Sequence, residues 1–153
     1  MENFLKSIEI GETNKHYDSL MLRNAYSNME YLFYGVQDYK NELVYAKKEY
    51  KLSKELNRLD LLPIIHVAMS YSNLDSTRQA KQVFDEAFSY IKSHKDIFRD
   101  DLYTLIYRFS CLKDKAKATY CWNRLKAMPY KQSDASDLTV LAEFYSLSFL
   151  LFP

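Results

Sequence analysis

The sequence predicts an all-α protein built of antiparallel helix pairs that stack into a solenoid. The chain has only 2 Gly and 3 Pro among 153 residues, too few for the many tight turns of a β domain. Good helix formers, Leu, Lys, Glu and Ala, are abundant. Apolar residues also recur with a period of 38 residues, and a fixed period of this size is typical of stacked helical repeats.

The period is clearest near the end of the first helix of each pair, called helix A. Apolar residues end these helices at Val36, Leu74, Leu112 and Leu150. Three positions earlier stand Phe33, Tyr71, Phe109 and Leu147. A single pair cannot bury its apolar stripe, so neighbouring pairs stack and share one core. An ordinary helix bundle with coincidental spacing stays open as the alternative.

Each helix A is predicted to be followed by a helix B. Helix A is expected at about residues 15–36, 60–74, 97–112 and 135–151. Helix B is expected at about 39–57, 76–94 and 115–128. Asp60 and Ser76 are suitable N-caps, Pro63 is tolerated in a first helical turn, and Pro129 ends a helix. These roughly seven helices form one domain, residues 1–153, with repeats at about 15–57, 60–94 and 97–128 and a final helix at 135–151.

Composition excludes several classes of partner and compartment. Lys and Arg (21) nearly balance Asp and Glu (20), so the positive field that direct nucleic-acid binding needs is missing. No apolar stretch reaches signal-peptide length at the N-terminus or the ~20 residues of a membrane span. Cys111 and Cys121 do not form a secreted disulfide framework. We expect a cytoplasmic protein with no membrane partner.

The sequence predicts no enzyme, no metal and no cofactor. It has no Gly-rich phosphate loop, nucleophile elbow or metal-binding His pair. His66 is interpreted as a partly buried structural residue, because no carboxylate or Cys lies three or four positions away from it. Cys111 and Cys121 are interpreted as buried small apolar residues, with a redox pair as the alternative.

The second repeat, AMSYSNLDSTRQAKQVFDEAFSYI, resembles a tetratricopeptide repeat. Its small and aromatic residues match the family pattern at Ala68, Tyr71, Leu74, Ala80, Phe84 and Ala87. The resemblance covers about residues 20–128 and implies a right-handed solenoid whose concave face binds peptides or proteins. The chain departs from the pattern in its longer period and in larger residues at one small position of helix A, namely Glu30, Ile106 and Phe144. Its Tyr-, Lys- and Asn-rich repeats are similar to those of the cytoplasmic peptide-pheromone receptors of Gram-positive bacteria, the Rap, PlcR and arbitrium-receptor type, which implies a role in quorum sensing or phage or plasmid regulation.

In such solenoids helix A lines the concave groove, which assigns a ladder of aromatic and apolar side chains to ligand binding. The predicted groove residues are Asn24, Tyr31, Tyr34, Ile65, Met69, Asn73, Tyr103, Tyr107, Arg108 and Tyr145. The amides of Asn24 and Asn73 would hold a peptide backbone, and Arg108 a carboxylate. Core packing of the same ladder is an equally weighted alternative.

The last helix ends in an apolar run with no helix B to cover it, Phe149, Leu150, Leu151 and Phe152. Because exposed apolar patches mark interfaces, we expect it to form a homodimer contact or to pack against a further part of the protein. The leading hypothesis for function is a regulatory module that binds a peptide or protein. The alternatives are a structural adaptor or oligomerisation domain without a groove and, third, a small enzyme or enzyme-regulatory subunit using His66 and Tyr residues.

Overall fold

The structure is a computed structural model that describes residues 2–14, 16–57 and 60–128. This part of the chain contains only helices and no strand, which confirms the all-α prediction there. The helices are α1 (Glu2–Thr13), α2 (Ser19–Gly35), α3 (Tyr39–Glu55), α4 (Leu61–Asn73), α5 (Thr77–Ser93), α6 (Arg99–Cys111) and α7 (Lys115–Lys126). None of them is both long and apolar enough to cross a membrane.

Helices α2 to α7 correspond to the three predicted helix pairs. Helix α2 begins later than expected, because Asp18 occupies its N-cap position and accepts a hydrogen bond from the Leu20 N–H. Asp60 takes the N-cap position of α4, but its side chain does not cap that helix. Helix α1 was not predicted. The predicted final helix, 135–151, lies outside the described residues.

Three turns of the same kind join α2 to α3, α4 to α5 and α6 to α7. Each contains one residue in the left-handed region, Gln37 (φ 59°), Asp75 (φ 53°) or Lys113 (φ 58°). In each turn the next N–H donates back to a helix carbonyl five residues earlier, which is the Schellman geometry. Helices joined by so short a connection lie antiparallel, so these turns fold the chain into hairpins.

The chain divides into two compact units between Tyr90 and Ile91, near the end of α5. In the N-terminal unit α1 packs on α2, α2 on α3 and α3 on α4. Its apolar core includes Ile8, Leu22, Ala25, Tyr26 and Met29. In the C-terminal unit α6 packs on α7. The residues discussed next all lie in the N-terminal unit unless stated otherwise.

Candidate functional site

Three buried glutamates set the first helix pair apart from the pairs that follow. Glu30 on α2 and Glu42 and Glu49 on α3 are 4%, 1% and 2% exposed. Positions 38 and 76 residues further along are apolar: Ala68 and Ile106, Ala80 and Ala118, and Ala87 and Leu125. Burying a carboxylate costs several kcal/mol unless it is paired. The carboxylates are therefore a specific departure from an otherwise apolar register.

Two of these carboxylates converge on His66 of α4. The Nδ1 atom of His66 lies 2.6 Å from Oε2 of Glu30 and 3.5 Å from Oε2 of Glu49. We call Glu30, Glu49 and His66 the His66 cluster. All three atoms are buried and have no hydrogen-bond partner outside the cluster. The ring of Tyr31 packs edge-on against His66, with ring centroids 5.5 Å apart.

The surroundings of the His66 cluster change its proton affinities. Burial lowers the pKa of His66, but its contacts with the carboxylates of Glu30 and Glu49 outweigh burial and raise the pKa to about 9. Burial raises the pKa of Glu30, and the contact with His66 opposes that rise. His66 is thus a cation at neutral pH.

Arg23 of α2 contacts Glu49, the member of the His66 cluster that lies on α3. Its Nε lies 3.7 Å from Oε1 of Glu49, and its Nη2 donates a 2.9 Å hydrogen bond to Oδ2 of Asp60. This contact explains why the Asp60 side chain does not cap α4. Glu49 therefore presents one oxygen to Arg23 and the other to His66.

Glu42 forms a separate polar contact with α4. Ser70 Oγ donates a 2.8 Å hydrogen bond to Oε1 of Glu42, and the Asn73 amide lies 3.3 Å from Oε2. Asn73, which was predicted to hold a peptide backbone, thus donates to a buried carboxylate of its own chain.

The predicted groove residues differ in how much surface they offer. Tyr31, Tyr34 and Asn24 are exposed, Met69 and Asn73 are half-buried, and Ile65 is buried. In the C-terminal unit Tyr107 is exposed with the Arg108 guanidinium 5.4 Å from its ring centroid, and Tyr103 is half-buried. Tyr145 and the predicted interface residues, Phe149, Leu150, Leu151 and Phe152, lie outside the described residues.

The exposed side of α2 carries no charged residue. Its exposed positions, which we call the α2 surface, are Leu20, Met21, Asn24, Asn28, Tyr31, Tyr34 and Gly35. The two charged residues of the helix, Arg23 and Glu30, are turned inward to the cluster. By contrast, α3 exposes Lys40, Lys47, Lys51, Lys54 and Glu55, and α5 exposes Arg78, Lys81 and Lys92. A water-facing helix normally places its charges outside, so α2 has the reverse arrangement.

Sequence reasoning missed the His66 cluster because its members come from three helices. A search three and four positions from His66 samples only α4, where no carboxylate occurs. The available signal was the predicted period, since the positions 38 and 76 residues after Glu30 and Glu49 are apolar.

The chain matches no protein-family model, no curated protein and no solved structure. The tetratricopeptide-like solenoid and the relation to pheromone receptors therefore stay predictions. What the protein does has to be inferred from its side chains.

Proposed function

We propose that the protein binds a peptide, or an extended segment of a partner protein, on the α2 surface. The observation that carries the proposal is the inverted charge pattern of α2. Protein interfaces are depleted in charge at their centre and enriched in Tyr and Met, and Met21, Tyr31 and Tyr34 provide such a centre. A helix that needed only to face water would gain solubility from charges there.

The chemistry of the α2 surface favours an uncharged or apolar segment. Tyr31 and Tyr34 are 55% and 48% exposed, and their rings offer apolar area with little rotamer entropy to lose. Asn24 lies seven residues before Tyr31 and shares its face of the helix. Its amide can accept from a peptide N–H and donate to a peptide C=O.

The polar contacts below the surface support this role by fixing its position. Tyr31 packs against His66, which is held between Glu30 of α2 and Glu49 of α3. A binding residue whose neighbours are fixed loses less entropy when a ligand binds. The resemblance to peptide receptors implies the same kind of ligand.

A random-peptide display selection tests the proposal. We expect the wild-type chain to select a family of related peptides that the Tyr31→Ala, Tyr34→Ala double variant binds at least ~30-fold more weakly, as for the loss of an interface hot spot. Tyr120→Ala is the matched control, because Tyr120 is a 39% exposed tyrosine on α7 and its loss should leave affinity unchanged.

Two outcomes would contradict the proposal. One is a selection that yields no peptide family although the chain is folded. The other is a family whose affinity is insensitive to Tyr31 and Tyr34.

A further inference from the structure

The His66 cluster brings together three atoms that are typical metal ligands. We propose that Glu30, Glu49 and His66 bind a divalent transition-metal ion such as Zn²⁺ or Mn²⁺. The sequence had predicted no metal site. This inference is independent of peptide binding, since it concerns buried atoms rather than the α2 surface.

The spacing of the three atoms suits a small ion. Glu30 Oε2, Glu49 Oε2 and His66 Nδ1 all lie within 4.8 Å of one another. Ligands bonded at ~2.0–2.1 Å in a tetrahedral site are about 3.4 Å apart, and the 3.5 Å between His66 and Glu49 agrees with this spacing. The 2.6 Å contact between His66 and Glu30 has to open by ~0.8 Å, which a rotation about the side-chain bonds of Glu30 can supply.

The three atoms also have no other partner. Each is buried and has no hydrogen-bond partner outside the cluster, in side chains that are 7% exposed or less. Buried polar atoms without partners are rare in folded proteins, and a missing ion is one of the ordinary explanations. Here three of them face one another, so a single ion would satisfy all three.

The repeat supplies a comparison within the chain. A carboxylate that served only to fill its repeat register would have polar counterparts in the next pairs, yet Glu30 and Glu49 are replaced there by Ala, Ile or Leu. The apolar counterparts show that these registers do not need a carboxylate for packing. The two carboxylates accordingly have a role that is specific to the first helix pair. Their convergence on His66 indicates that this role is to form a site together with its imidazole.

The donor types select the class of ion. One imidazole nitrogen with two carboxylate oxygens suits Zn²⁺, Mn²⁺ or Fe²⁺, whereas Ca²⁺ and Mg²⁺ prefer oxygen ligands alone. Arg23 lies beside the other oxygen of Glu49, which orients the carboxylate so that Oε2 faces the site. Three protein ligands leave one tetrahedral position for a water molecule. The ion would tie α2, α3 and α4 together below Tyr31.

The test is a titration of chelator-stripped full-length protein with Zn²⁺, followed by calorimetry, and with Co²⁺, followed by visible absorption. The protein carries Cys111→Ser so that the exposed thiol cannot bind the ion. We expect one equivalent to bind, to release to solvent the proton that the imidazole holds at neutral pH, and to raise Tm. We expect His66→Asn and Glu49→Gln to weaken binding ~100-fold or more, beyond what loss of a supporting contact costs.

The matched control is Glu42→Gln. Glu42 is as buried as Glu49 and lies on the same helix, but it contacts Ser70 and Asn73 instead of His66. Its charge still acts on Glu30, so Glu42→Gln should weaken metal binding by less than ~10-fold, far less than Glu49→Gln. Should His66→Asn fail to fold, the ¹⁵N resonance of the His66 ring in the parent chain decides, because Zn²⁺ on Nδ1 must shift it. Absence of saturable binding by the folded parent chain, an unshifted His66 ring, or binding that survives His66→Asn would overturn the proposal.

Discussion

The Nδ1 atom of His66 lies 2.6 Å from Oε2 of Glu30, between two helices and away from water. The pair joins α4 to α2, and Glu49 adds α3 on the other side. One polar group from each of three helices therefore meets at the centre of the N-terminal unit. The pKa of His66 and the stability of the N-terminal unit both depend on these contacts.

In metal-free protein the His66 ring should titrate with a pKa of about 9, well above the ordinary 6.5. A raised folded-state pKa stabilises the fold fully below the unfolded pKa, and this stability is lost as pH rises through the folded pKa. We expect the free energy of unfolding to fall between pH 6.5 and 8.5 by at most about 1.4 kcal/mol per pH unit. Urea denaturation in the presence of a chelator measures the slope, and imidazole NMR measures the pKa.

The variant His66→Gln is the control for the pH dependence, because it keeps a polar side chain but cannot titrate. With Glu30→Gln and Glu49→Gln added, which remove the two buried carboxyls left without their cation, its unfolding free energy should not fall over the same range. Cys121 does not interfere below pH 8.5, since burial raises the pKa of its thiol to about 12. A wild-type His66 ring that titrates near 6.5 would contradict the assignment.

Removing only His66 from the His66 cluster should lower the free energy of unfolding more than replacing all three of its members with apolar residues. His66→Leu leaves two buried carboxylates without their cation and should destabilise the fold by ~3–5 kcal/mol. Adding Glu30→Met and Glu49→Met to this variant removes the buried charges with similar side-chain volumes, and most of the lost stability should return. Chemical denaturation of the single and triple variants decides, and a triple variant less stable than His66→Leu would show that the charges do not act together.

Lys113 should be replaceable by glycine with a gain in stability. It lies in the left-handed region of the turn from α6 to α7, with φ 58°, where a side chain costs ~1 kcal/mol. Lys113→Gly should stabilise the protein by ~0.5–1 kcal/mol. Ala116→Gly, at an exposed helical position of α7, should have the opposite sign, and denaturation midpoints that move together would refute this description of the turn.

The two glycines should respond oppositely to alanine. A Cβ at Gly11 of α1 would lie 2.8 Å from Leu22 Cδ1 and 2.9 Å from Tyr17 Cδ1, so Gly11→Ala should destabilise by ~1–3 kcal/mol. A Cβ at Gly35 meets nothing within 4 Å, so Gly35→Ala should be neutral or stabilise by up to ~1 kcal/mol. Thermal unfolding of both variants tests whether α1 packs on α2. If Gly11→Ala left Tm unchanged, this would contradict the close contact between the two helices.

What the sequence predicted well was local. The turns at Gln37, Asp75 and Lys113 follow apolar helix ends and polar breaks that recur in the sequence, and such signals act within a few residues. Helix α1 has no counterpart in the repeat and contains Gly11, so periodicity could not predict it. Its place depends on packing against α2 around Ile8, which is a tertiary effect.

The candidate site was predicted only in part. Tyr31 and Tyr34 were assigned to a binding surface from their register, and both are exposed. Ile65 was assigned to the same surface but is buried. The position in the repeat predicts which way a side chain points from its helix, but not whether another helix covers it. His66 could not be matched to Glu30 and Glu49, since the distance between separate helices depends on how they pack.

The most direct test of the proposed function is to locate a selected peptide on the protein by amide chemical shifts. We predict that the largest changes fall on the α2 surface, at Asn24, Asn28, Tyr31 and Tyr34. The charged exposed side of α5, at Arg78 and Lys81, should change little. Changes that are confined to other helices while α2 remains unperturbed would contradict the account.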